Sequence, residues 1–250
     1  MCRHLAYMGP PTRLSDLIYG PPHSLEHQSY APKFNLYNKL NADGFGVGWY
    51  PDDPEAEPVR FRRDRPIWTD ESFRDVSRAV SASCVLAAVR SATVGFPVEE
   101  SCAQPLRCRR WLFSHNGKID DFGGVEAKLR ELAGDLSAVP EARAPMDSAL
   151  LFAIAARSWL EGRSLADGLA GTVRTVAAIA AGRYNLLATD GRSLAATAYG
   201  DSLYLRRSAS DQGSVVIASE PYDDEPGWEK VPDRSLVTAT TGEGFAVHPL

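Results

Sequence analysis

The chain has 250 residues, 44% of them hydrophobic and 24% charged, with 32 acidic side chains against 27 basic and a formal net charge of −5. That length and composition fit an ordinary globular chain folding around one core, so a single domain over residues 1–250 is expected. The acidic balance excludes the basic surface that nucleic-acid phosphates require; no apolar run reaches the roughly 18 residues of a membrane helix; and Arg3 and His4 stand where a signal peptide needs its apolar segment. A cytoplasmic protein with neither nucleic-acid nor membrane partners is expected, its oligomeric state unread.

In chain order, HLAYMG (4–9), GFGVGWY (44–50) and VRFRR (59–63) read as strands, several of them apolar enough to be buried on both faces. TDESFRDVSRAVSA (69–82) reads as a helix, with Thr69 as its N-cap and Phe73, Val76 and Val80 on one stripe. CVLAAVR (84–90) and RWLFS (110–114) return to strand. Three helices follow, over 123–134, over 147–162 closed by Gly162, and over 164–182 between Ser164 and Gly182. Five strands then complete the chain: YNLLAT, SLAATAY, SLYLRR, SVVIAS and SLVTA. Strands, helices, then strands give an α+β fold, with helices layered over largely antiparallel sheets.

Cysteine usage fits that setting. In a reducing compartment Cys84, Cys102 and Cys108 are expected as free thiols. The CAQPLRC spacing matches no zinc signature, so no metal is expected.

Four short segments carry chemistry. Cys2 directly follows the start methionine; once Met1 is removed, a thiol of ordinary pKa about 8.5 and an α-amine of about 7.7–8.0 belong to one residue, a nucleophile with its own base. The same Cys2 also reads as a small hydrophobe opening a strand. In VRSATVG (89–95), Arg90 ends an apolar strand, either closing an edge or presenting its fork to a ligand carboxylate. In FSHNGKI (113–119), Asn116-Gly117 is first a hairpin turn, and also a side-chain amide plus a backbone N–H suited to an oxyanion. His115 is given no catalytic role. In PMDSALLF, Asp147 caps the helix it opens, and a carboxylate there can also hold an ammonium.

Taken in order, an N-terminal Cys, R-S-A-T-x-G, H-N-G-x-I and M-D-S resemble the class II glutamine amidotransferases, the N-terminal-nucleophile family that cleaves the γ-amide of glutamine. GFGVGWY, RYNLLATDGRSLAATAYG and VIASEPYDDEPGW extend the resemblance over nearly the whole chain. It implies a four-layer αββα sandwich, with Cys2 as nucleophile and Asn116 and Gly117 as the oxyanion hole. By the same resemblance Arg90 and Thr93 bind the α-carboxylate of a γ-glutamyl group, Asp147 holds its ammonium, and no cofactor is required.

The family's synthase members carry R-W-A-T-H-G, where this chain has Ser91 and Val94, and a second domain for which no chain is left here. A stand-alone γ-glutamyl hydrolase acting on a small molecule is therefore expected. Among such members MCRHLAYMG, DGFGVGWY and SEPYDDEPGW look most like the hydrolase branch of ergothioneine biosynthesis, whose leaving group ends in trimethylated histidine. Tyr30, Phe34, Tyr37 and Trp68 are candidates for an aromatic cage around that quaternary ammonium, or simply packing residues. Two other readings remain: a glutaminase supplying ammonia to a separate synthetase, and a non-catalytic γ-glutamyl metabolite-binding module.

Overall fold

The computed structural model describes residues 2–34, 39–53, 56–207, 213–240 and 244–250. Among these, β1 (Arg3–Arg13), β2 (Phe45–Trp49), β3 (Val59–Arg63), β4 (Ser81–Val89), β9 (Tyr204–Arg207), β10 (Val215–Ala218) and β11 (Glu229–Lys230) form one sheet, in the order β11-β9-β10-β1-β4-β2-β3. A second sheet holds β5 (Leu106–Cys108), β6 (Trp111–Ile119), β7 (Gly182–Thr189), β8 (Ser193–Ala198), β12 (Ser235–Thr240) and β13 (Gly244–Pro249), in the order β13-β12-β8-β7-β6-β5. The strand pairings in both sheets are antiparallel.

Three apolar layers explain the architecture. Leu5, Tyr7, Val85, Ala87 and Val89 turn outward from the first sheet onto α1 (Leu14–Ile18), α2 (Leu25–Tyr30) and α3 (Glu71–Ala79), packing with Leu14, Ile18, Leu25 and Phe73. Ala6, Met8, Cys84 and Leu86, on the alternate positions, meet Leu112, Leu187, Ala196 and Val237 of the second sheet. Phe113, Tyr184 and Leu186 turn outward again, onto α4 (Phe122–Ala133), α5 (Asp147–Leu160) and α6 (Leu165–Ala177). Strands covered on both faces lose the polar alternation of a half-exposed strand, which is why CVLAAV reads as a continuous apolar run. The result is the expected α+β, four-layer αββα sandwich.

Several local expectations are corrected. Asp70, not Thr69, caps α3, its carboxylate accepting from Phe73 N–H at 2.8 Å. Thr69 lies in a short 3-10 turn and donates its hydroxyl to the Pro66 carbonyl. On the same helix Phe73 is buried but Val76 is 42% exposed, and Val80 has already left the helix for an extended conformation. The run read as a helix to 182 stops at Ala177, and Gly182 instead opens β7. Asn116-Gly117 makes no hairpin turn: it lies inside β6, paired with Asn185 and Tyr184 of β7. Tertiary pairing overrides the local turn preference there. The five- and six-residue helices α1 and α2 and the strands β5, β11 and β13 were not anticipated.

Candidate active site

The site grows from the first residues of β1. Alternation along that strand sends Cys2, His4, Ala6 and Met8 towards the second sheet and Arg3, Leu5 and Tyr7 away from it. Cys2 is a buried free thiol. Arg3 pairs with Val89 of β4, which sets Arg90 beside Cys2 on one flank. On the other flank His4 exchanges bonds with Ser219, just beyond β10: its N–H donates to Ser219 Oγ at 3.0 Å, and its carbonyl accepts from Ser219 N–H at 2.9 Å.

Across the inter-sheet layer β1 and β6 run in step. A Cβ placed on Gly48 would meet Leu112 Cδ1 at 2.6 Å, and Gly48 connects through Leu86 to Ala6 of β1. Next along, His4 Nδ1 lies 3.1 Å from Ser114 Oγ. One further pleat on each strand carries Cys2 and Asn116 to the same end of the layer. Asn116 is fully buried there, and neither its Oδ1 nor its Nδ2 has a hydrogen-bond partner among the described residues. Buried polar side chains are overwhelmingly paired, so a side-chain amide left with both ends open marks a place where something else binds.

Gly117 follows from the same strand geometry. Beyond β5 one edge of β6 has no strand partner among the described residues, and the N–H groups facing it come from alternate residues. His115 N–H donates to Gln104 Oε1 at 2.5 Å and Ile119 N–H to Asp147 Oδ2 at 2.9 Å. Gly117 N–H lies between them on that edge. Position 117 also requires glycine, because an added Cβ would lie 1.9 Å from the Arg183 carbonyl oxygen and 2.5 Å from His115 Nε2.

The remaining expected residues are placed as follows. Arg90 is buried rather than displayed on an edge, with Nη1 donating to the carbonyls of Asp43 (3.3 Å) and Pro97 (3.0 Å). This anchors the 91–97 loop and leaves the Nε–Nη2 edge as the fork. Thr93 is exposed on that loop, its carbonyl accepting from Phe96 N–H. Asp147 is not the cap it was expected to be: Met146 occupies that position and Asp147 is the first helical residue. Its carboxylate accepts from Ile119 N–H and Ser148 N–H, so it ties α5 to the β6 edge. His115 is structural, bonded to Ser148 Oγ and the Arg183 carbonyl, and burial outweighs the nearby Asp147 to hold its pKa below the ordinary range.

Sequence reasoning assigned no role to Asp43, whose carboxylate takes Ala92 N–H at 2.8 Å, or to Gln104, His4 and Ser114. Nor did it single out Asn185, the cross-strand neighbour of Asn116, whose Nδ2 lies 3.1 Å from the carbonyls of both Asp201 and Ser202. It also passed over the buried group of Arg3, Asp201 and Glu220, with Arg3 Nε 3.4 Å from Glu220 and Nη1 3.9 Å from Asp201. Asp43, Asn185, Asp201 and Glu220 all lie in or beside segments that carry the family resemblance, which was the available signal. The aromatic candidates separate. Tyr30 packs edge-on against Trp68, Phe34 stacks on Tyr204, and Tyr37 lies outside the described residues.

Two facing antiparallel sheets between helical layers, with a buried cysteine immediately before the first strand, define the N-terminal-nucleophile class of hydrolase fold. The solved glutamine phosphoribosylpyrophosphate amidotransferase of B. subtilis shares it over 99% of this chain and 49% of its own, at a TM-score of 0.71 and 17% identity. Residues 23–212 match the family described as glutamine amidotransferases class-II, and the chain belongs to that family. A class-II domain protein from Silicibacter pomeroyi covers 99% of both chains at a TM-score of 0.69 and 26% identity. The gamma-glutamyl-hercynylcysteine sulfoxide hydrolase of Mycolicibacterium smegmatis is 42% identical over 238 residues, 95% of each chain.

Proposed function

We propose that this protein is a cysteine-dependent γ-glutamyl amidohydrolase that releases glutamate from γ-glutamyl-hercynylcysteine sulfoxide in ergothioneine biosynthesis. The observation that carries the chemistry is Asn116, fully buried with both polar atoms unpartnered, beside a buried cysteine at the start of the chain. The substrate follows from the likeness to a relative of that name along almost its entire length.

Removal of Met1 exposes the Cys2 amine. That amine takes the thiol proton as sulfur attacks the γ-carbonyl, and the developing oxyanion meets Asn116 Nδ2 and Gly117 N–H. The amine then passes its proton to the departing cysteinyl nitrogen, leaving a γ-glutamyl thioester on Cys2. Water, deprotonated by the same amine, hydrolyses the thioester and releases glutamate and the free thiol. Each preset donor at the oxyanion lowers the barrier by about 3–4 kcal/mol. The Nε–Nη2 edge of Arg90 grips the glutamyl α-carboxylate, Thr93 lines that side, and Asp147 receives the α-ammonium with its remaining lone-pair capacity.

The test is glutamate release by purified protein from the sulfoxide conjugate and from glutamine at equal concentration, with the N-terminal residue verified by mass spectrometry. Preferential release from the conjugate supports the reading. Faster release from glutamine points instead to ammonia supply, and no release from either by protein lacking Met1 overturns it.

A further inference from the structure

Beside the candidate centre lies a cavity of about 660 Å³, lined by Lys33, Phe34, Asp201, Tyr204, Lys230 and Asp233 among others. Its position is fixed by the sheet order. In the first sheet β1 lies between β4, directly followed by Arg90, and β10, followed by β9, which carries Tyr204. A substrate held at Cys2 with its glutamyl group towards Arg90 therefore projects its leaving group towards β10 and β9.

Two ties join the cavity to the reaction centre. Asn185, paired with Asn116, holds the loop that bears Asp201. Glu220, fully buried against Arg3, accepts the N–H groups of Lys33 (2.7 Å) and Phe34 (3.0 Å) and so sets the opposite wall. Burial alone would raise the Glu220 carboxyl; the His23 hydrogen bond, the Arg3 charge and those two amides prevail and hold it below the usual range.

The lining has the chemistry of a betaine site. Phe34 stacks on Tyr204 with centroids 5.5 Å apart, an aromatic surface of the kind that attracts a quaternary ammonium. The Asp201 side chain is only 7% exposed, and its Oδ2 is buried without a hydrogen-bond partner among the described residues, while Oδ1 accepts from Ser202 N–H. Lys230, paired with Tyr204 across the sheet, and Lys33, whose ammonium lies 3.9 Å from the exposed Asp224 carboxylate, supply cations for a carboxylate. The volume falls in the range of small-molecule pockets.

We infer that this cavity receives the trimethylated histidine end of the leaving group, its quaternary ammonium against Phe34, Tyr204 and Asp201 and its carboxylate towards Lys33 and Lys230. The assignment rests on the proposed activity, and the experiment separates the two. Steady-state kinetics on the sulfoxide conjugate and on γ-glutamylcysteine, which lacks the betaine, are measured for wild type, Phe34→Ala and Asp201→Asn, each checked for an unchanged melting transition. Titration calorimetry with N,N,N-trimethylhistidine accompanies them. The expected result is at least a tenfold fall in the preference of either folded variant for the conjugate, carried by KM, with weaker trimethylhistidine binding. Conjugate turnover with an unchanged preference in both variants overturns the cavity assignment and leaves the activity standing. If wild type does not cleave the conjugate, the activity fails, and calorimetry still decides the cavity: binding weakened by Phe34→Ala retains it, and no binding removes it.

Discussion

Asn116→Ala separates a reaction-centre residue from a packing residue, because the two roles predict opposite effects on stability. In the folded protein the amide has both polar atoms buried and unpartnered. An unsatisfied buried group costs about 1–3 kcal/mol, so deleting it relieves that penalty, and the small void left behind offsets part of the gain. The net expectation is stability unchanged or raised by about 1–2 kcal/mol, a rise in Tm of up to about 8 °C for a chain of this length. Over the same change the barrier rises by the worth of one oxyanion donor, which lowers kcat about 10²- to 10³-fold. Urea unfolding and glutamate release on the same preparation measure both. A variant that loses 1 kcal/mol or more of stability and keeps its turnover would refute the reasoning, since Asn116 would then be a satisfied structural residue.

Other expectations follow from the same geometry. Gly117→Ala pushes a methyl into the Arg183 carbonyl and the His115 ring and should cost about 1–3 kcal/mol by urea unfolding as well as activity. Arg90→Lys replaces a fork by a point charge and should raise KM more than it lowers kcat in glutamate-release kinetics. Burial, reinforced by Arg3 and His115, pushes the His4 pKa down to about 3, and burial also lowers that of His115. With folded pKa values below the unfolded ones, the unfolded chain binds more protons, so this stability is fully present above about pH 6.5 and is lost as pH falls towards 3. The unfolding free energy from urea titration should drop between pH 7 and pH 5 by up to about 2 kcal/mol through His4, with His115 adding in the same direction, and His4→Gln should shrink the drop.

Much of this was legible in the sequence because the layers write themselves into the strands. CVLAAV is apolar throughout because Leu86 faces the other sheet while Val85 and Ala87 face helices. Cys2, Asn116 and Arg90 were legible as residue types in a family order; the structure pairs β1 with β4 and sets β6 in the facing sheet. What stayed hidden depends on register. The Gly117 N–H finds an open edge only because β5, antiparallel to β6, begins at Leu106 opposite Phe113 and reaches no further along β6, and local preference at Asn116-Gly117 pointed instead to a turn. Likewise, Asp147 bonds to Ile119, 28 residues away, and Glu220 reaches Phe34 across 186 residues, separations that no local pattern records. Helices as short as α1 and α2 are held by their packing on the first sheet rather than by propensity.

The whole mechanism turns on Cys2, with its own amine, carrying the γ-glutamyl group. The most direct measurement is mass spectrometry of acid-quenched enzyme during turnover of the sulfoxide conjugate, followed by peptide mapping. A transient increment of one γ-glutamyl group is expected on the peptide that begins with Cys2, absent in Cys2→Ala, which should release no glutamate. Sustained release by Cys2→Ala, or an adduct on Cys84, Cys102 or Cys108 instead, would contradict it.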